Sequence, residues 1–100
     1  MARAKARLPA ETRALSEFFR ILGDETRCKI VLALAGDELC VCEIADVVGS
    51  SVSNISHHLR LLKAARLVKY QKNQKRVFYS LDDRHVQELI AQGLEHMRHK

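Results

Sequence analysis

Apolar residues recur every three or four positions at both ends of the chain, which is the spacing of amphipathic helices. Near the start, the apolar positions are Leu15, Phe18, Phe19 and Leu22. Pro9 is well placed to open this helix and Gly23 to end it. The pattern therefore predicts a first helix from Pro9, preceded by a short flexible basic tail at residues 1–8.

A second helix is predicted immediately after Gly23. Asp24 is suited to cap its first turn. We expect the helix to run to about Ala35 and to end at Gly36. The inward positions of this helix are Ile30, Val31 and Leu34. Cys28 lies one turn before Val31, and we expect it to be a small buried thiol.

The middle of the chain carries a helix-turn-helix pattern. One short helix ends at Gly49, which suits a left-handed turn, and the next begins near Ser51. Ala45 permits close helix approach, and Ile55 fills the junction between the two helices. The further shared core positions are Ile44, Val48, Leu59 and Leu62. The outward polar residues of the second helix are Ser53, Asn54, Ser56, His57 and Arg60, a set suited to base edges and phosphates.

Two strand-like runs follow, Leu67–Tyr70 and Arg76–Leu81, both rich in β-branched and aromatic residues. The polar segment 71–75 between them predicts a hairpin with a charged tip. The expected DNA-facing cations of this hairpin are Lys69, Lys72, Lys75 and Arg76. The fold class predicted is mainly α with a small β-hairpin, arranged as a winged helix-turn-helix. An ordinary solvated helix face and hairpin remain the alternative.

Composition agrees with a single domain at 1–100 that has an anionic partner. The net charge is +5, which favours double-stranded DNA, and no apolar run is long enough to span a bilayer. No secretory signal is visible, so a cytoplasmic location is expected, with the three cysteines as thiols or metal ligands.

Two histidines share one face of the last predicted helix. His85 and His96 are eleven residues apart, so they point in similar directions but lie roughly 16 Å apart along the axis. One helix cannot bring both to one ion. Two antiparallel copies can, with Asp83 and His85 of one facing His96 and His99 of the other, a set of nitrogen and oxygen ligands that suits Zn(II). From spacing alone, a solvated histidine edge on a dimer helix is the alternative.

At this point the chain resembles the ArsR/SmtB family of bacterial metal-sensing repressors over nearly its whole length. The segments that carry the resemblance are residues 23–27, 38–43, 56–63 and 79–85. The resemblance implies a winged-helix homodimer formed through the N- and C-terminal helices. It also implies binding to an inverted-repeat operator and release when a metal ion binds, so that efflux or resistance genes are transcribed.

The resemblance also implies where the metal ion binds. Asp83, His85, His96 and His99 match the inter-subunit site of the zinc-responsive branch, with Co(II), Ni(II) or Cd(II) as other candidate ions. In zinc sensors of this type, a C-terminal helix histidine donates a hydrogen bond to a backbone carbonyl just after the recognition helix. By resemblance, His96 would donate to the carbonyl of Arg66 or a neighbour and couple metal binding to DNA binding.

A second family site would use the thiols of Cys40 and Cys42. The segment 1–8 lacks the further cysteines of the cadmium and lead sensors, and the third cysteine of the arsenic sensors is also missing. This second set of ligands is incomplete, and a thiolate or redox sensor that uses Cys40 and Cys42 is the alternative function. A metal-independent DNA-binding protein is another alternative. An enzyme is not expected, because four ligands leave no open position on the metal and no nucleophile–base pair is evident.

Overall fold

The computed structural model describes residues 2–98, and only the backbone of residues 2–7 and 9. These residues form five helices and three strands. In chain order they are α1 (Ala2–Leu22), α2 (Glu25–Leu34), β1 (Leu39–Cys40), α3 (Val41–Val48), α4 (Val52–Ala64), β2 (Val68–Asn73), β3 (Arg76–Leu81) and α5 (Arg84–Arg98). The prediction of a mainly helical chain with a hairpin is confirmed.

The first helix is longer than its apolar pattern predicts. It begins at Ala2 and includes Pro9, so the predicted start at Pro9 is wrong. Alanine, lysine and arginine dominate the first seven residues, and their high helix propensity favours a continuous helix there, although proline cannot donate a backbone hydrogen bond. The other end is as predicted, since the Gly23 N–H donates to the carbonyl of Phe19 at 2.8 Å.

Helix α2 begins as the sequence predicts, because the Asp24 carboxylate accepts a hydrogen bond from the Arg27 N–H at 3.0 Å. Ile30, Val31 and Leu34 are buried, as expected. Cys28 is exposed, so the expectation of a buried thiol is wrong. It lies on the opposite side of α2 from Ile30 and lines an apolar groove instead.

Helices α3 and α4 form the predicted helix-turn-helix. Gly49 has a φ of 81°, and its N–H donates to the carbonyl of Ala45 at 2.8 Å. The left-handed backbone explains the need for glycine at this turn. The core between these helices and α2 contains the buried side chains of Ile30, Val31, Ile44, Ala45, Ile55, Leu59 and Leu62.

The wing is a three-stranded antiparallel sheet with the order β1-β3-β2. The short strand β1, which pairs Cys40 with Phe78, is not predicted, since two residues carry no periodic signal. Strand β2 extends to Asn73, so the predicted five-residue loop is a two-residue turn at Gln74 and Lys75. Gln74 has a φ of 60°.

The last helix is largely exposed in the single chain. Val86 is its only residue among 84–98 that is buried. Leu89, Ile90, Leu94 and Met97 line an apolar groove of about 330 Å³ together with residues of α1 and α2. Within residues 2–98, no helix is both long and apolar enough to cross a bilayer.

Candidate metal and DNA-binding sites

Asp83 and His85 stand together at the start of α5. The Asp83 Oδ1 accepts a hydrogen bond from the Val86 N–H at 3.1 Å, and its Oδ2 lies 3.6 Å from the His85 Nδ1. The bond from the Val86 N–H, helped by His85, holds the pKa of Asp83 below its usual value. The two side chains are 51% and 90% exposed. An ionised carboxylate and an accessible imidazole are thus presented side by side, and both are suitable zinc ligands.

The other two predicted ligands are not brought to this pair within one chain. His96 is exposed on α5, about 16 Å along the helix from His85, and His99 lies outside the described residues. Across residues 2–98, no three or more histidine, cysteine or acidic side chains are grouped so that they could hold a metal ion. The residues present therefore fit half of a tetrahedral nitrogen and oxygen site.

Arg66 lies close to the Asp83–His85 pair. All three residues line a cleft of about 530 Å³ between the end of α4 and the start of α5. Arg66 has a φ of 61°, and the Asp82 N–H donates to the Leu67 carbonyl at 3.0 Å. The segment just before α5 is thus hydrogen-bonded to the segment that follows α4.

The cysteine pair has a different environment. Cys40 is the buried residue that precedes α3, whereas Cys42 is exposed in its first turn. The Glu43 carboxylate accepts the Cys40 N–H at 2.9 Å, and this bond is the main cause of the lowered pKa of Glu43. The Arg76 guanidinium donates to the Cys40 Sγ at 3.4 Å. Cys40 therefore connects the start of the helix-turn-helix to the wing.

The first turn of α4 is organised by serine and asparagine. The Ser51 Oγ accepts the Asn54 N–H at 3.0 Å, and the Asn54 Nδ2 donates to the Ser50 Oγ at 2.9 Å. This second bond orients the Asn54 amide. Of the predicted DNA-contacting residues, Ser53, Asn54, His57 and Arg60 are exposed and Ser56 is half-buried. Val52, which is 44% exposed beside them, is missed by a search for polar groups, although valine suits a thymine methyl.

The wing presents Lys69, Lys72 and Lys75 to solvent. Arg76 is also exposed, but its guanidinium contacts Cys40 and lies 5.5 Å from the centre of the Phe78 ring. At the other end of the hairpin, the Lys63 ammonium lies 4.1 Å from the centre of the Tyr70 ring. This cation–π contact joins α4 to β2, and sequence periodicity gives no signal for it.

The chain is similar to known transcriptional regulators. The family model described as "Bacterial regulatory protein, arsR family" matches residues 24–70. A cadmium resistance transcriptional regulatory protein CadC homolog of Staphylococcus aureus is 49% identical over 86 residues, which are 84% of this chain and 70% of that protein. A transcriptional repressor SmtB homolog of Synechocystis is 41% identical over 88 residues, 88% of this chain and 67% of that protein.

A solved structure gives the same result for the fold. The homodimeric winged helix-turn-helix DNA-binding domain of a Mycobacterium bovis protein superposes with a TM-score of 0.83 at 26% identity, covering 94% of this chain and 91% of that one. The relatives are transcriptional regulators, which confirms the expectation that the chain is not an enzyme. The chain belongs to the arsR family of bacterial regulatory proteins and has its winged helix-turn-helix fold.

Proposed function

We propose that this protein is a metal-responsive transcriptional repressor. It binds an inverted-repeat operator as a homodimer and leaves the DNA when Zn(II), or a similar ion such as Co(II), Ni(II) or Cd(II), binds between the subunits. The observation that carries the proposal is the Asp83–His85 pair, an ionised carboxylate and an accessible imidazole at the start of an otherwise exposed amphipathic helix.

The dimer is supported by apolar surface on the first and last helices. Phe19 of α1 is 50% exposed, and Met97 of α5 is 66% exposed. Both line the same groove, whose walls are almost entirely apolar. Contiguous exposed apolar surface of this kind marks an interaction site, and a second copy is the occupant that the homodimeric structural relative favours.

DNA binding is supported by α4 and the wing. The N-terminal turn of α4 exposes Ser53 and an Asn54 amide that Ser50 orients, while His57 and Arg60 are exposed further along the helix. The wing lysines add positive charge on a chain whose net charge is +5. This combination suits base edges in the major groove and phosphates beside it.

Metal binding is supported by the donor chemistry of α5. Asp83 and His85 of one chain, with His96 and His99 of the other, complete a set of three imidazoles and one carboxylate. Bound there, Zn(II) supplies a cross-link between the two α5 helices. The relative named as a cadmium resistance regulator favours a metal signal of this general kind.

In this proposal, His96 couples the metal site on α5 to the DNA-contacting helix α4. A ligating histidine needs a partner for its second ring N–H. His96 donates that N–H to the carbonyl of Arg66 or a neighbour, at the end of α4. The Asp82–Leu67 hydrogen bond already ties the segment just before α5 to the segment that follows α4.

A second candidate is a thiolate or redox sensor that uses Cys40 and Cys42. It is favoured by the hydrogen bond from Arg76 to the Cys40 Sγ, because a chemical change at that sulphur would reach the wing directly.

The wild-type protein first selects a DNA duplex from a random-sequence pool. Release of a fluorescent copy of that duplex on addition of metal then tests the proposal. Zn(II) should release the wild type and a Cys40→Ser, Cys42→Ser double variant, but not a His85→Ala, His96→Ala double variant. All three should bind the duplex equally without metal. Release that depends on the cysteines and survives loss of the histidines would replace the proposal with the second candidate.

A further inference from the structure

The start of α2 and the middle of α4 meet in the structure, and the proposed function assigns no task to the three residues that come together there. The start of α2 contributes Asp24 and Arg27, and the middle of α4 contributes His58. Although 31 positions separate them, the Arg27 Nη1 lies 3.2 Å from the His58 Nδ1. The Asp24 Oδ2 lies 4.0 Å from the same ring nitrogen.

Arg27 joins three helices at this point. Its Nε–H donates to the carbonyl of Ile21 at the end of α1, at 2.6 Å, while its backbone N–H donates to the Asp24 carboxylate at 3.0 Å. Its Nη1 reaches His58 on α4. One guanidinium therefore ties the end of the proposed dimer helix α1 to the helix that carries the proposed DNA-contacting residues.

His58 is a polar residue on the inner face of α4. It lies between Ile55 and Leu62, which are fully buried, and its own side chain is only 13% exposed. Arginine has donors only, so the His58 Nδ1 is the acceptor in this hydrogen bond. The flanking apolar contacts do not depend on direction, whereas a hydrogen bond does. The Arg27–His58 bond thus adds a directional contact between α2 and α4 to the apolar packing of α4.

We propose that Arg27 and His58 are positioning residues that set the orientation of α4 relative to α1. In the dimer, this orientation determines the separation of half-sites at which both α4 helices fit the DNA. The inference rests on the proposed function, because it requires a dimer that binds two half-sites through α4.

The experiment measures how binding depends on half-site separation. A duplex selected by the wild-type protein from a random pool is resynthesised with its half-sites one or two base pairs closer or farther apart. Affinities are measured by fluorescence anisotropy on metal-free protein at about pH 8, above the ordinary pKa of a histidine in water. The variants are His58→Leu and Arg27→Met, which remove the bond, and His58→Asn, which keeps an acceptor atom near the position of Nδ1. Lys29→Met, at an exposed position on α2, is the matched control.

The wild type should bind best at one separation. His58→Leu and Arg27→Met should lose about tenfold or more in affinity at that separation and should discriminate little between separations. His58→Asn and Lys29→Met should keep the affinity and the preference of the wild type. Thermal unfolding of each variant, followed by circular dichroism, shows whether it is folded at the temperature of the measurement.

An unchanged preference in folded His58→Leu and Arg27→Met overturns the inference, and so does a uniform loss at every separation. If either variant is unfolded, Arg27→Lys replaces it. Lysine keeps the charge but has one nitrogen in place of the separate Nε and Nη1 donors that reach Ile21 and His58, so the same flattening is expected. If the wild-type protein selects no paired half-sites, the proposed function itself is contradicted. This result is distinct from an unchanged separation preference and from a uniform loss of affinity in the variants.

Discussion

Asp83 uses its two carboxylate oxygens for different purposes. Oδ1 accepts the Val86 N–H and stabilises the first turn of α5, while Oδ2 faces His85 and remains available to a metal ion. The same hydrogen bond lowers the pKa of Asp83, so the carboxylate is ionised at neutral pH. A local capping interaction therefore prepares the proposed metal ligand.

These two purposes can be separated by substitution. Asparagine caps a helix about as well as aspartate but lacks the charge that favours a divalent ion. Asp83→Asn should therefore lower Zn(II) affinity by at least about tenfold while the melting temperature stays close to that of the wild type. Competition with a chromophoric chelator and circular dichroism measure the two quantities. Asp82→Asn is the control, and an equal loss of affinity in that variant would contradict a specific role for Asp83.

Asp24 gives a prediction about pH. The Arg27 N–H is the main cause of its lowered pKa in the folded chain, so the unfolded chain binds a proton more tightly at this residue. This contribution to stability is fully present above the ordinary aspartate pKa of about 4 and is lost as the pH falls through the lower folded value. Asp24→Asn should show a shallower fall in the free energy of unfolding below about pH 4. Urea titrations at several pH values measure this slope, and identical slopes in the two proteins would contradict it.

At the scale of elements, the periodic parts of the chain are predictable. The buried faces of α2 and α4 follow the positions that helical spacing indicates, and Gly49 adopts the expected left-handed turn. Strand β1 and the start of α1 are not predictable in this way. Strand β1 has only two residues and therefore no period. In α1, the helix propensity of the residues before Pro9 outweighs the cost of a proline inside the helix.

The turn of the wing is a strained element. Gln74 has a φ of 60° at the first position of a two-residue turn, where glycine avoids a steric penalty. Gln74→Gly should raise the free energy of unfolding by about 0.5 kcal/mol. Gln71→Gly, within β2, is the matched control and should lower it, because glycine weakens a strand. Urea unfolding distinguishes the two, and a loss of stability in Gln74→Gly would show that the turn is not strained.

At the scale of the whole molecule, sites are predictable only where their parts are close in sequence. Asp83 and His85 are two residues apart, so their pairing follows from the sequence. The contacts Arg27–His58 and Arg76–Cys40 join residues 31 and 36 positions apart, and no periodicity reveals them. The prediction of a buried Cys28 is wrong for a related reason, because its surroundings depend on how α1, α2 and α5 pack.

The proposed coupling between the metal and DNA sites is a property of the proposed dimer as a whole. In the proposed mechanism, His96 binds the metal through one ring nitrogen and donates from the other to the segment after α4. His96→Asn should therefore still bind metal, more weakly, and yet fail to release DNA at saturating Zn(II). Anisotropy of a bound fluorescent duplex measures release. Full release by this variant at saturation would contradict the coupling.

The identity of the metal ligands is the central claim, and a cobalt(II) titration of the reduced, metal-free protein tests it most directly. We predict intense visible d–d bands that saturate at one ion per chain, without a near-ultraviolet thiolate charge-transfer band. That spectrum is the result expected for Asp83, His85, His96 and His99 in a tetrahedral site. A strong thiolate band would contradict the proposal and assign the metal to Cys40 and Cys42.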